Sequence, residues 1–246
     1  MNETNKTAAE IVADVIFDEH CISHVFSVTG GGAMFLNDAF GKHSAGEVVY
    51  NHHEQASAMA AVGFAKATNG LGVAVVTTGC GCTNALTGLL DAWQDNVPVV
   101  FISGQVKKRD TSRLNHASVR QIGVQELDIV AVVESMTKYA VMVEEPAQIL
   151  YEMDKAISIA KSGRPGPVWI DIPLDVQASP LDFRSLDRFM SSHTAPRSDC
   201  FSLVWDSLRK AARPVIIAGN GIRLSGSRNE FEEFLSRFPV PSVFSY

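Results

Sequence analysis

Apolar residues along this chain alternate between short continuous runs and longer stretches with helical spacing. The runs at 25–28, 48–50, 73–78, 98–103, 139–143 and 168–172 read as strands. Helical spacing appears at Ile11, Val12, Val15 and Ile16, across 33–40, and at Ala56, Met59, Ala60, Gly63, Phe64 and Ala67. It returns in the stretch through Trp93, resumes at Val124, and recurs at Ile149, Leu150, Met153, Ile157 and Ala160. The run 73–78 is almost wholly apolar, as a strand covered on both faces must be. Strand and helix alternate about six times, which predicts an α/β fold: a doubly wound parallel sheet with helices on both faces.

The punctuation agrees with that rhythm. Thr7 and Glu10 form a capping-box pattern ahead of the first helix, and Gly163 stops the helix that begins near Ile149. Gly30-Gly31-Gly32 follows the first strand of the alternation, and Gly79-Cys80-Gly81-Cys82-Thr83-Asn84 follows the strand at 73–78. Glu54, in Asn51-His52-His53-Glu54-Gln55, stands where the strand at 48–50 gives way to an alanine-rich helix. Two glycine turns and a carboxylate at corresponding strand ends fall on one edge of one sheet, where ligands collect. Taken alone, Glu54 is also explained as a glutamate complementing a helix dipole, worth up to about 1 kcal/mol. His52 and His53 read as bystanders in the same way.

From 173 to about 197 the periodicity fades into proline, serine and aspartate, the composition of a linker. The expected domains are 1–178, a linker at 179–196, and the start of a second α/β domain at 197–246. That second part shows a helix at 201–211, a strand at 214–218, the turn Gly219-Asn220-Gly221, a helix capped by Ser227 with Glu230, and a strand near Val243. Roughly fifty residues are too few for a core of this type, so the second domain is expected to be truncated.

Composition narrows the function classes. The chain has 246 residues, 46% hydrophobic and 20% charged, as an ordinary globular protein has. A net charge of −6 argues against nucleic acid or an anionic membrane as partner. The one basic run, Lys107, Lys108 and Arg109 with Arg113 and Arg120 beyond, reads as a solvated loop or as contact with an anionic ligand. Cysteines at 21, 80, 82 and 200 make no metal-ligand spacing with the seven histidines, so reduced thiols and no metal site are expected. No apolar run approaches the roughly 20 residues that span a bilayer, and the polar N-terminus has no signal-peptide core, so a cytoplasmic location is expected.

A nicotinamide-dinucleotide fold is one candidate chemistry, because an acid, Glu54, follows Gly30-Gly31-Gly32 at about twenty residues. The third glycine of that fingerprint is missing, and the acid opens a helix instead of closing a strand.

A second set of motifs covers more of the chain. It comprises His53-Glu54-Gln55, Thr78-Gly79-Cys80-Gly81-Cys82-Thr83-Asn84, Ser103-Gly104-Gln105-Val106, Gln125-Glu126, Thr137-Lys138 and Ser162-Gly163-Arg164-Pro165-Gly166-Pro167-Val168. Together they resemble, in order and spacing, the pyrimidine-binding domain of thiamine-diphosphate enzymes of the acetolactate synthase type, over about residues 7–178. The segment from 197 resembles the start of that family's central domain.

The resemblance implies a 2-keto acid decarboxylase or carboligase with pyruvate as donor. Glu54 would hydrogen-bond the cofactor's aminopyrimidine ring and favour the tautomer that generates the C2 ylide. A carboxyl that shares a proton with a ring nitrogen requires desolvation, so apolar side chains are expected around Glu54. The resemblance further matches Gly31, Gly32 and Ala33 to a turn facing the active centre, and Thr78, Gly79 and Asn84 to the turn beside the pyrimidine. Gln125 matches a glutamine reaching towards substrate. Ser103, Lys138 and Arg164 match positions associated with flavin or substrate, so FAD joins the implied cofactors; Arg164 reads equally as an ion-pair or loop residue.

The family binds diphosphate and Mg²⁺ through a Gly-Asp-Gly segment in another domain, and no Gly-Asp-Gly occurs here. A homodimer or tetramer, or a separate chain bearing the diphosphate domain, is therefore implied, and this chain by itself is expected to be inactive. Cys80 and Gly30 stand where the family commonly has proline, and the 105–125 segment is longer and richer in arginine. A sugar or another ketone as acceptor, or a non-catalytic remnant of the cofactor fold, are the alternatives.

Overall fold

The computed structural model describes residues 5–115, 118–191 and 201–245. The chain divides into two compact units, Met1–Ser191 and Ser192–Tyr246.

The first unit is built on a six-stranded, all-parallel sheet of β2 (His24–Ser27), β3 (Glu47–Tyr50), β4 (Gly72–Val76), β5 (Val99–Gln105), β6 (Tyr139–Met142) and β7 (Val168–Pro173), in the order β3-β2-β4-β5-β7-β6. The chain steps from β2 outwards to β3, then returns to the other side of β2 for β4. The carboxyl ends of β2 and β4 therefore flank the switch point of the sheet, where an open crevice forms.

Side-chain alternation along the buried strands feeds two cores. On one face Val73, Val75, Val100, Ile102, Val168 and Ile170 pack with α1 (Ala8–Asp14), α2 (Met34–Lys42) and α8 (Ile149–Lys161). On the other, Ala74, Val76, Phe101 and Trp169 pack with α3 (Glu54–Thr68), α5 (Leu86–Gln94) and α7 (Ile129–Val133). Phe101 and Trp169 stack in parallel with ring centres 5.1 Å apart.

The capping box is formed at α1: the Thr7 N–H donates to Glu10 Oε2 at 2.6 Å, and the Glu10 N–H donates to Thr7 Oγ1. Gly163 takes φ +55° just beyond α8. Two expectations fail locally. Helix does not resume at Val124: Gln125 sits at φ +60°, and α7 starts only at Ile129, capped by the Asp128 carboxylate. Apolar spacing alone misled there, because Val124 is exposed and belongs to a loop. The proline- and serine-rich stretch after β7 is also structured at its start, with α9 (Leu174–Gln177) followed by β8 (Pro180–Asp182). The latter pairs antiparallel with β1 (Asn5–Thr7).

The second unit pairs β9 (Ile216–Ala218) in parallel with β10 (Ser242–Phe244), and contains α10 (Phe201–Lys210), α11 (Gly221–Leu224) and α12 (Arg228–Arg237). Ser227 precedes α12 as expected, but its side chain makes no capping bond. Its ψ of 28° departs from the extended backbone that capping by a serine requires. Among the described residues no helix is long and apolar enough to cross a membrane.

Candidate functional site

Glu54 is the first residue of α3, and His53 fixes the helix start. The His53 ring nitrogen Nδ1 accepts the Gln55 N–H at 3.1 Å, so this histidine acts as a cap. The second glycine turn opens α4 (Cys80–Asn84), whose last residue turns back to the carboxylate: Asn84 Nδ2 donates to Glu54 Oε2 at 2.9 Å. The other oxygen, Oε1, lies 3.3 Å from where a Cβ on Gly81 would stand. Any larger residue at 81 would also meet the Thr77 methyl at 2.7 Å. The described residues do not supply the apolar wall expected around Glu54. Glu54 is half-buried and Asn84 is exposed, because α3 begins at the rim of the sheet.

The first glycine turn lies across the switch point from this carboxylate. The Gly32 N–H donates to Thr77 Oγ1 at 3.0 Å, and a Cβ on Gly30 would collide with the Thr77 side chain at 2.4 Å. Thr78, buried, donates to the Gly104 carbonyl at 2.9 Å. Gly31, by contrast, faces open space, and Ala33 behind it is buried. Gly79 has φ +65°, and a Cβ there would stand 1.9 Å from the carbonyl oxygen of Gln125, whose side chain is exposed. The structure thus gathers Gly31, Gly32, Ala33, Glu54, Thr78, Gly79, Asn84 and Gln125 along one edge of the sheet.

Three other sequence candidates do not join them. Ser103 is fully buried, its hydroxyl donating to Asp171 Oδ1 at 2.6 Å and accepting from Trp169 Nε1 at 2.8 Å, so no part of it faces a ligand. Lys138 and Arg164 precede β6 and β7, which puts them at the amino-terminal edge, opposite Glu54. There Lys138 caps the carbonyls of Ile159 and Ser162 at the end of α8, and burial lowers its pKa. Arg164 bonds Asn96, and with Trp93 and Lys138 they line a cleft of about 350 Å³. Within the basic run, Arg113 pairs with Asp128 at 2.8 Å, Lys108 donates to the Glu144 carbonyl at 2.7 Å, and Arg109 lies 3.6 Å from Asp110.

Sequence reasoning missed Asp171 and Gln177. Asp171, on β7 among apolar residues, is fully buried and hydrogen-bonded by Ser103 and by Gln105 Nε2 at 2.9 Å. Burial outweighs those two bonds and the Arg113 charge, and with Asp128 nearby the Asp171 pKa rises to about 7. A lone carboxylate in an apolar strand was the available signal. Gln177 donates to the carbonyls of Gly32 and Ile172 at 2.8 and 2.7 Å, while its Oε1 is the one buried side-chain oxygen or nitrogen without a partner among the described residues. Among the described residues one group has metal-ligand geometry, Asp14, Asp18 and His43; Lys6 already occupies Asp14 at 2.6 Å.

Two glycine-containing turns and a carboxylate oriented by Asn84, gathered at the switch point, suit a cofactor with a flat, proton-accepting ring. Comparison with known proteins decides the family: the profile of the thiamine pyrophosphate enzyme, N-terminal TPP binding domain, matches residues 6–132. The chain belongs to the thiamine pyrophosphate enzymes. It is 35% identical to the acetolactate synthase large subunit of Lactococcus lactis over 224 residues, 89% of this chain and 37% of that protein. It is 32% identical to the acetolactate synthase of Arthrospira platensis over 233 residues, 90% of this chain and 38% of that protein. The acetolactate synthase isozyme 2 large subunit of Escherichia coli is 34% identical over 227 residues, 90% of this chain and 39% of that protein. The chain thus spans less than two fifths of the length of each of these relatives.

Proposed function

We propose that this chain supplies the pyrimidine-binding half of a thiamine-diphosphate-dependent 2-keto acid decarboxylase or carboligase of the acetolactate synthase kind, with pyruvate as donor. The observation that carries the reading is the Glu54–Asn84 pair, set at the switch point between two glycine-containing turns. The residues present fit the group: Gly31 leaves open space, Gly79 and Gly81 carry no side chain in the second turn, and among the described residues Asn84 anchors the carboxylate through Oε2.

When bound, thiamine diphosphate supplies the electron sink for breaking the bond next to a keto group. The protein's part is positional and protonic. Glu54 would hydrogen-bond the ring nitrogen of the aminopyrimidine, and Asn84, donating to Oε2, fixes the carboxylate plane so that Oε1 is the oxygen presented. Glycine at 31 and 79 would let the peptide groups of these turns approach the ring, and the exposed Gln125, whose carbonyl lies against Gly79, would be available to substrate. Apolar surroundings for Glu54 would come from a second copy or a separate subunit, and the Mg²⁺-diphosphate contacts from a diphosphate-binding domain with the Gly-Asp-Gly segment that does not occur in this sequence. Exposed Met59 on α3 and Leu90 and Trp93 on α5 supply apolar surface that supports such an assembly. We assign no flavin contact to Ser103, which is spent on Asp171.

The test is to assemble the chain with a diphosphate-binding domain of an acetolactate synthase and measure CO₂ release from pyruvate with thiamine diphosphate and Mg²⁺. Release that needs all components supports the reading. No release from pyruvate or any other 2-keto acid overturns it in favour of a non-catalytic remnant.

A further inference from the structure

The last two rungs of β5 and β7 break the apolar pattern on the sheet face covered by α3, α5 and α7. Phe101 and Trp169 stack there, two register steps before Ser103 stands beside Asp171. Beyond them Gln105 projects from the same side of β5, almost fully buried. The Gln105 amide is fully committed. Its Oε1 accepts the Val106 N–H at 3.0 Å, and its Nε2 donates both to Asp171 Oδ2 at 2.9 Å and to the carbonyl of Leu127 at 2.8 Å.

Leu127 follows an irregular stretch that the Glu126 carboxylate, accepting from Ser112, Ile122 and Gly123, ties together from within. Gln125 is left-handed, a conformation that costs a non-glycine residue about 1–3 kcal/mol and persists only where its surroundings impose it. Its carbonyl is the group seated against Gly79.

We propose that Asp171 is a positioning residue: through Gln105 it holds Leu127, and so keeps Gln125 seated over the Gly79 turn. The far oxygen of Asp171 is clamped by Ser103 and, through it, by the Trp169 indole, so the anchor is part of the rigid sheet. Asp171 touches neither the crevice nor a ligand, being fully buried, and acts only by fixing the amide orientation of Gln105. The placement is a property of the chain itself and does not depend on the reaction proposed above.

The test is amide hydrogen exchange on the 246-residue chain in four forms: wild type, Asp171→Asn, Asp171→Leu and Gln105→Leu. Asparagine can accept from Gln105 while donating to Ser103, so it keeps the anchor; leucine cannot. Exchange across residues 123–128 is expected to match wild type in Asp171→Asn. It is expected to be about tenfold faster in both leucine variants, the loss of about one hydrogen bond, with β5 and β7 amides still protected. Wild-type exchange across 123–128 in either leucine variant overturns the inference. So does Asp171→Asn exchanging as fast as Asp171→Leu, or equal acceleration throughout β5 and β7. If Asp171→Leu fails to fold, Gln105→Leu against Asp171→Asn decides the matter alone.

Discussion

Replacing Gly79 with alanine tests the geometry of the site without reference to any ligand. Gly79 has φ +65° and ψ −110°, a backbone state that costs an L-residue about 1–3 kcal/mol. The new Cβ would also stand 1.9 Å from the Gln125 carbonyl oxygen and 3.0 Å from its carbon. That carbonyl is backbone, so the loop at 123–128 must retreat by roughly 1 Å, giving up the close contacts that seat it. Together these terms give a loss of about 2–4 kcal/mol, or a fall of roughly 5–12 °C in the melting temperature of a unit of this size. Gly31→Ala is the control: it follows a strand and precedes a helix just as Gly79 does, yet its Cβ would meet nothing within 4 Å. It should shift the melting temperature by less than about 2 °C. Differential scanning calorimetry of both variants reads the difference. Equal melting temperatures for the two, or Gly79→Ala within 2 °C or so of wild type, would refute the steric reasoning.

Asp171 makes stability fall as pH rises. Its folded pKa, about 7, lies above the model-peptide value of 3.8, so the folded state holds the extra proton between those limits. Stability should therefore drop from about pH 4 to about pH 7 by up to roughly 4 kcal/mol, and urea titrations of Asp171→Asn should lack that slope. Glu126 works in the opposite direction. Burial alone would raise its pKa, but bonds from Ser112, Ile122 and Gly123 together hold it low, so its contribution is present at neutral pH and lost on acidification below about pH 4. Glu126→Gln should cost about 1 kcal/mol at pH 7, after allowance for solvent exposure, and nothing in acid. Asn84→Ala should lower turnover of the assembled enzyme about tenfold, by freeing the Glu54 carboxylate to rotate, with the melting temperature unchanged.

Most of the sheet was legible because its signals are local. Val73–Val76 is buried on every residue, and such runs stand out from helical spacing at once. The turns were equally legible, since a strand that ends in glycine and enters a helix fixes which edge of a parallel sheet the turn occupies. Long-range pairings were harder to see. Nothing in Asn5–Thr7 or Pro180–Asp182 announces that they form an antiparallel ladder, because neither three-residue strand carries an apolar pattern. Gln125 takes a left-handed conformation in an irregular loop whose Leu127 carbonyl accepts from Gln105 on the sheet, a tertiary contact invisible to spacing, which read helix there. Ser103, Lys138 and Arg164 show the converse: motif order placed them with the site, whereas the fold sends one into the core and two to the opposite edge.

The most direct test of the account is the rate of pyruvate decarboxylation by the assembled enzyme with Glu54→Gln. The substitution is nearly isosteric and leaves an amide that Asn84 can still orient, so the melting temperature should not move. If Glu54 holds the proton at the aminopyrimidine, turnover should fall by at least about a hundredfold. A folded Glu54→Gln enzyme that works at near wild-type rate would contradict that role.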